Sequence, residues 1–364
     1  MRIRRVDVEG LRCLQSLRLQ PGPGVQFLCG SNGAGKTTLL ESLHLLGYGR
    51  SFRSGQRDAV IARGCSESLV FAELEREGGG NTRVGLRRGS SDWSARVDET
   101  DVASFAALFR ACPVVCFEPG SHALIAGSSE VRRSYLDWSV FHVEPEFLPA
   151  WRRLQRALKQ RNAGLRAAWA DTLLESWERE LADVSLTVSR ARAAVLADLA
   201  PAVASKARAF LEELGDATLV LSHGFGDRAA ADSEQIMATY AEGRPLDRER
   251  GFTRFGAHRA DWTLSFAGAP RREYLSRGQE KLAALVMALA QVEHFHARTG
   301  EWPILLLDDL AAELDGAHLT RVLDWVFATG VQAWVTGTSV PEALRARSEP
   351  WSLFHVEQGA ITPA

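Results

Sequence analysis

The chain has 364 residues and is 46% hydrophobic, enough for a substantial core in one large α/β domain or two smaller ones. Its 43 Lys and Arg nearly cancel its 45 Asp and Glu, which excludes a global basic field and leaves any nucleic-acid partner to a local patch. The basic start Met1-Arg2-Ile3-Arg4-Arg5 lacks the apolar core of a signal peptide, no run approaches a bilayer span, and the five scattered cysteines (Cys13, Cys29, Cys65, Cys112, Cys116) form no zinc pattern, so a cytoplasmic protein is expected.

Alternation predicts half-buried strands over Arg2 to Val8 and Leu14 to Leu19, then Pro21-Gly22-Pro23-Gly24 breaks the chain. Val25 to Cys29 reads as a short apolar strand, and Thr38 to Leu46 as a helix with Gly47 as its C-cap. Between them, Gly30-Ser31-Asn32-Gly33-Ala34-Gly35-Lys36-Thr37 matches G-x-x-x-x-G-K-[ST] at every specified position. Such a loop turns backbone N–H groups inward around phosphates at a helix N-terminus. Gly30 to Thr38 are therefore the expected nucleoside-triphosphate-binding residues, with Lys36 on the β- and γ-phosphates and Thr37 on Mg²⁺.

Gly49-Arg50-Ser51-Phe52-Arg53 is a basic loop in which Arg50 and Arg53 could touch phosphate or adenine, or simply be solvated. Strands are expected at 69–74, 82–86 and 93–97, separated by Gly78-Gly79-Gly80 and Gly89-Ser90-Ser91, and a buried strand at 112–117 before Glu118-Pro119-Gly120. Residues 131 to 217 change character. Apolar residues at helical spacing (Trp151, Leu154, Leu158, Leu165, then Leu174, Trp177, Leu181, Val184, Val188) predict an inserted helical lobe, with Pro201 starting a further helix. A basic stripe, Arg152, Arg153, Arg156, Lys159, Arg161 and Arg166, is either a nucleic-acid contact or a solvated face. The division expected is 1–130, 131–217 and 218–364.

Strand character resumes at Leu219 to Ser222 and again after Gly256-Ala257-His258-Arg259-Ala260-Asp261. Ser276, Arg277, Gly278 and Gln279 open a strong helix. Ser276 and Gln279 form a capping box, and the bare Gly278 would let a phosphate approach closely. Ile304-Leu305-Leu306-Leu307 has the uniform apolarity of a parallel strand buried on both faces, and it ends in Asp308-Asp309, where open α/β sheets bind ligands. Asp308 would hold Mg²⁺ directly or through water, and Asp309 would orient or deprotonate the attacking water. Glu313 and Asp315 follow on a turn toward a potential partner. After the last predicted strand, 331–335, the hydroxyl of Thr336 or Thr338 could sense the γ-phosphate.

The order of these motifs resembles the ABC-type ATPases, in the branch shared with SMC and DNA-repair proteins, and within it the RecF family. The resemblance runs nearly end to end and includes Arg132-Arg133-Ser134-Tyr135-Leu136-Asp137-Trp138, Leu158-Lys159-Gln160-Arg161-Asn162 and His258-Arg259-Ala260-Asp261. This chain departs from the usual pattern at Ala257, at Pro119-Gly120 and at Ala311-Ala312, and the role of Glu118 stays open. The resemblance implies an α/β fold, an ABC-type ATPase domain with a mixed sheet and phosphate-loop core, interrupted by a helical lobe. It implies ATP and Mg²⁺ as cofactors, with Ser276, Arg277, Gly278 and Gln279 as a signature acting in trans and Glu313 and Asp315 in the D-loop, hence an ATP-dependent homodimer. Double-stranded and gapped DNA, RecO and RecR are the implied partners, with help in loading RecA, SOS induction and slow hydrolysis as the implied role. Against an ABC transporter subunit stand the helical lobe, Asp309 in place of Glu, and no His after the last strand. Against a GTPase stands the missing Asn-Lys-x-Asp motif; against a long-armed SMC protein, the shortness of the insertion.

Overall fold

The structure, a computed structural model, describes residues 1–53, 60–89, 92–228 and 230–364. Ser90 and Ser91, in one of the expected turns, lie outside the described residues. The chain divides into two compact units, one of residues 1–121 with 287–364, the other of 122–286.

In the first unit β1 (Arg2–Leu11), β2 (Leu14–Leu19) and β3 (Val25–Cys29) precede helix α1 (Lys36–Tyr48). There follow β4 (Glu67–Glu75), β5 (Asn81–Gly89), β6 (Trp93–Val97), β7 (Thr100–Asp101), α2 (Phe105–Ala111) and β8 (Val114–Phe117). The second unit holds α3 (Ala123–Ala126), α4 (Ser129–Val143), α5 (Phe147–Arg166), α6 (Asp171–Phe210), β9 (Ala217–Ser222), α7 (Ser233–Arg250) and β10 (Asp261–Phe266). Helix α8 (Arg277–Thr299) leads back to the first unit. There β11 (Ile304–Leu307), α9 (Leu310–Glu313), α10 (Gly316–Thr329), β12 (Ala333–Gly337), α11 (Glu342–Arg345), β13 (Trp351–Glu357) and β14 (Ala360–Pro363) complete the fold.

Two six-stranded sheets form the first unit. One is antiparallel, in the order β2-β1-β4-β5-β6-β7; the other runs β14-β13-β3-β12-β11-β8 and is parallel except for β14. Every residue of β11 and β12 is buried, as a parallel strand covered on both faces requires. Helix α1 packs on strands of both sheets, which explains why its burial encircles the helix instead of forming one stripe. Gly47 therefore does not end it. A Cβ at Gly47 would meet Val114 at 2.8 Å, so the glycine is a packing residue, and the left-handed cap falls at Gly49 (φ 63°).

In the second unit, α5 and the first half of α6 pair antiparallel, with Arg153 donating to Glu180 and Arg161 to Glu178. Pro201 does not start a helix: α6 runs unbroken for 40 residues. The buried stripe Val195, Leu199, Val203, Ala207, Phe210 passes straight through, so continuous packing outweighs the one backbone hydrogen bond that Pro201 forfeits. Strands β9 and β10 pair as an antiparallel ribbon. Of the expected basic stripe, Arg152, Arg153, Arg156, Lys159 and Arg166 are exposed and Arg161 is not. Arg161 is fully buried between Glu178 and Asp247, Arg153 is paired, and the Arg156 guanidinium lies 5.9 Å from the centre of the Trp177 ring.

Candidate nucleotide site and family

The strand order β3-β12-β11-β8 brings the loops that follow these four strands to one edge of the parallel sheet, where such sheets hold ligands. Gly30 to Thr38 follow β3, Thr336 closes β12, Asp308 and Asp309 follow β11, and Glu118 follows β8. Of these, Asn32, Gly33, Gly35 to Thr38, Glu118, Asp308, Asp309 and Thr336 line, with Arg12, Cys13, Phe52, Arg53 and Pro119, a cavity of about 480 Å³, within the size range of ligand pockets.

The phosphate loop is built on glycines that nothing else could replace. A Cβ on Gly30 would sit 2.2 Å from the Val356 carbonyl oxygen of β13, and Gly35 has φ 120°, a conformation L side chains rarely adopt. The carbonyl of Ala34 accepts a hydrogen bond from Gly359 N, so the β13–β14 turn braces the loop from outside. Lys36 is buried, and its Nζ donates to the carbonyls of Gly30 (2.7 Å) and Ser31 (2.9 Å). Lys36 thus holds its charge over the loop that it would share with a phosphate.

Thr37, Thr336 and Asp308 converge. Oγ1 of Thr37 donates to Asp308 Oδ1 (3.1 Å), and so does Oγ1 of Thr336 (2.8 Å). Thr336 in turn accepts from the backbone N of Asp309 (2.7 Å). Burial raises the Asp308 carboxyl above its ordinary range, against the two hydroxyl donors that lower it, with the neighbouring Asp309 pushing further up. A buried acid held under such strain is a fitting cation ligand, and with the Thr37 hydroxyl it suits an ion that also keeps water and phosphate oxygens, as Mg²⁺ does. Asp309 stands in a left-handed conformation (φ 52°), which turns the chain from β11 into α9.

Thr338 is exposed and does not line the cavity; its carbonyl accepts from Cys29 Sγ. Of the two loop arginines, Arg53 lines the cavity. Arg50 is exposed, and its carbonyl accepts from buried His44. Glu118 lines the cavity with its carboxylate accepting from Gly120 N at 2.6 Å. Arg12 was not foreseen. It lies in the β1–β2 turn with φ 49° and is ion-paired with the fully buried Glu41 of α1; only a patterned pair of strands marked its position in the sequence. Asp315 caps α10, accepting from His318 N, and Glu313 ends α9.

Ser276 and Gln279 make the capping box in full. Ser276 N donates to Gln279 Oε1 at 3.0 Å and Gln279 N to Ser276 Oγ at 3.3 Å. Ser276, Arg277 and Gly278 are exposed. They belong to the second unit, the phosphate loop to the first.

Among the described residues, no helix is long and apolar enough to cross a membrane. The family described as RecF/RecN/SMC N terminal domain matches residues 2–362. The DNA replication and repair protein RecF of Stenotrophomonas maltophilia is 41% identical, covering 99% of each chain. That of Thioalkalivibrio sulfidiphilus is 35% identical, again over 99% of each. Among solved structures, that of the recombination mediator protein RecF-ATP in the RecFOR pathway aligns with TM-score 0.90 at 23% identity, over 100% of this chain and 97% of that one. An Smc head domain derived from Pyrococcus furiosus aligns with TM-score 0.59 at 16% identity, over 100% of this chain and 95% of that one. With a full-length family match, relatives above the level at which families diverge and the ABC-type ATPase fold, the chain belongs to the RecF family of DNA replication and repair proteins.

Proposed function

We propose that the chain is an ATP-dependent DNA-binding protein of recombinational repair and replication, which closes as a homodimer on double-stranded and gapped DNA when ATP is bound. It would act in the cytoplasm with RecO and RecR to help load RecA on SSB-coated gaps and to induce the SOS response. Slow hydrolysis would release it. The solved relative is a RecF with ATP, placed by its description in the RecFOR pathway, and that supports both ATP and the partners.

The reading rests above all on Gly278. Its φ is not left-handed, and a Cβ there would meet nothing nearer than Ser276 Oγ at 4.0 Å. Neither backbone nor packing within this chain asks for glycine, and the bare position leaves room for something that approaches from outside. A phosphate held by a second copy fits, with the Ser276 hydroxyl and the N–H groups at the start of α8 as donors. In the first unit, Lys36 and the loop N–H groups bind the β- and γ-phosphates, Thr37 and Asp308 hold the cation, and Asp309 orients the attacking water. A bound Mg²⁺ would neutralise charge developing on the phosphates. Thr336, hydrogen-bonded to Asp308 and to the backbone of Asp309, couples the two acids. Nucleotide would then be part of the dimer interface, so binding shifts the population toward the closed state.

The test is binding to gapped DNA with and without Mg·ATP while the protein is sized in the same samples. Lys36→Met should lose nucleotide, dimer and DNA affinity together. Ser276→Arg should keep ATP binding as a monomer and lose the other two. If ATP alters neither size nor DNA affinity of the wild type, the clamp is wrong and only the nucleotide site stands.

A further inference from the structure

Three sequence motifs that the ATPase chemistry leaves unused meet at one loop of the second unit, residues 252–261. From Leu158–Asn162 comes Arg161, which donates to Thr253 Oγ1 (2.8 Å), and Asn162, whose Oδ1 accepts from Thr253 N (2.8 Å) and Oγ1 (2.7 Å). From Arg132–Trp138 come Arg132, bidentate to Asp261 at 2.7 and 2.9 Å, and Arg133, donating to the Ala260 carbonyl at 2.8 Å. Asp137 of the same motif holds Arg192, which donates to the Ala257 carbonyl. Within the loop, His258 is mostly buried and donates to the Thr253 carbonyl (3.0 Å); Gly256 (φ 135°) bonds through its N to the Gly224 carbonyl.

One side chain of this segment escapes the clamp. Arg259 is exposed, with its guanidinium 5.3 Å from the centre of the Phe252 ring, itself 37% exposed. On a segment tied to the loop through Gly224, the Arg228 guanidinium lies 4.2 Å from the Phe255 ring centre. Neither Arg228 nor Arg259 is in an ion pair among the described residues, whereas Arg254, also over Phe255, is neutralised by Asp247. So much bracing around a single outward arginine is a way to present it at a fixed angle. Stacking on a ring leaves the edges of a guanidinium free for a planar, two-toothed acceptor such as phosphate.

We infer that Arg259, laid over Phe252 and seconded by Arg228, is a contact for the phosphate backbone of DNA. The inference rests on the DNA-binding reading above and adds where on the chain the DNA is held. Unpaired arginines in fork geometry favour a polyphosphate over an acidic protein face, whose carboxylates would have to be matched one by one.

Labelled gapped duplex should be titrated with Mg·ATP present across a series of salt concentrations, using wild type, Arg259→Ala, Arg259→Lys and Arg228→Ala. Fluorescent-ATP binding, size and circular dichroism are read in the same samples. Arg259→Ala should bind DNA roughly tenfold more weakly and flatten the slope of log affinity against log salt by about one, with ATP binding, dimer and dichroism unchanged. Arg228→Ala should act in the same direction. Lysine at 259 should recover the salt slope and only part of the affinity, since it cannot stack flat on Phe252. Wild-type affinity and slope in Arg259→Ala, with ATP binding intact, would overturn the inference and leave that face to a protein partner. Loss of the ATP-driven dimer along with DNA would overturn it too, by placing Arg259 in the dimer contact. If the wild type itself binds no DNA, the DNA reading fails and carries this one with it; if it binds and the variants bind equally, this one alone falls.

Discussion

Asp308 shows what a buried carboxylate beside a second acid costs a fold. Its carboxylate is buried, takes both hydroxyl donors on one oxygen and faces a second acid in the next residue, so burial raises its pKa. A group whose folded pKa is raised binds more protons folded than unfolded, and its penalty grows as pH climbs through the carboxylate range into neutrality. Asp308→Asn keeps an oxygen for both hydroxyls and removes that penalty. The nucleotide-free variant should melt no lower than wild type at pH 7.5 by calorimetry, yet lose Mg·ATP-dependent hydrolysis. A clear drop in Tm without nucleotide would refute the strain. His44 has the opposite sign. It is buried in α1, stacked on Tyr48, and burial lowers it from 6.5 to about 4. The unfolded chain takes up its proton first, so stability present above pH 6.5 is lost as pH falls toward 4, in total on the order of 3 kcal/mol. His44→Phe, which keeps the ring stack, should flatten the fall of Tm between pH 7 and pH 5. At this scale the sequence was legible where chemistry demands a pattern, as at Lys36, Thr37 and Asp308, and silent at Arg12, which reaches the cavity only because β1 and β2 fold back beside α1.

Among elements, most errors of sequence reading have one cause: local punctuation was read without the packing that overrides it. Gly47 carries the features of a C-cap, yet it lies inside α1 because only hydrogen fits against Val114 and the Cys112 carbonyl. Gly47→Ala should therefore destabilise the protein by about 1–3 kcal/mol through overpacking, although alanine is the better helix former; Gly47→Ala with Val114→Ala should recover part of that in denaturant titrations. Equal stability of Gly47→Ala and wild type would mean that α1 shifts to make room. Pro201 is the same lesson on α6, and Arg161 its polar version. Periodicity put Arg161 on the charged face of α5, but two helices later Asp247 and the loop residue Thr253 close over it, and no local window contains them. The strands, by contrast, were readable nearly residue for residue at β2, β3 and β6, since alternation or unbroken apolarity and flanking glycines speak for themselves.

For the whole molecule the governing fact is that the first unit is made of two stretches separated by the second unit in sequence. β3 has β12 and β13 as neighbours, and β8 has β11, all from beyond the insertion. Buried Gln332 also bonds both backbone groups of Ile3. Residues 1–121 alone should accordingly show no cooperative unfolding transition, whereas 122–286, with a core of its own, should give one by circular dichroism. A sharp transition in the shorter fragment would show that the antiparallel sheet suffices. The brace on the phosphate loop carries this further. Gly30 lies against Val356 and Ala34 is bonded to Gly359, so the loop takes its shape only once β13 and β14 exist. During synthesis the loop leaves the ribosome long before the two strands that brace it. A chain stalled anywhere before residue 351 thus has the full phosphate-binding motif without the contacts that brace it from β13 and β14. Chains truncated before β13 should accordingly bind fluorescent ATP more weakly than the full chain, and equal binding would show that the loop holds its shape without the brace.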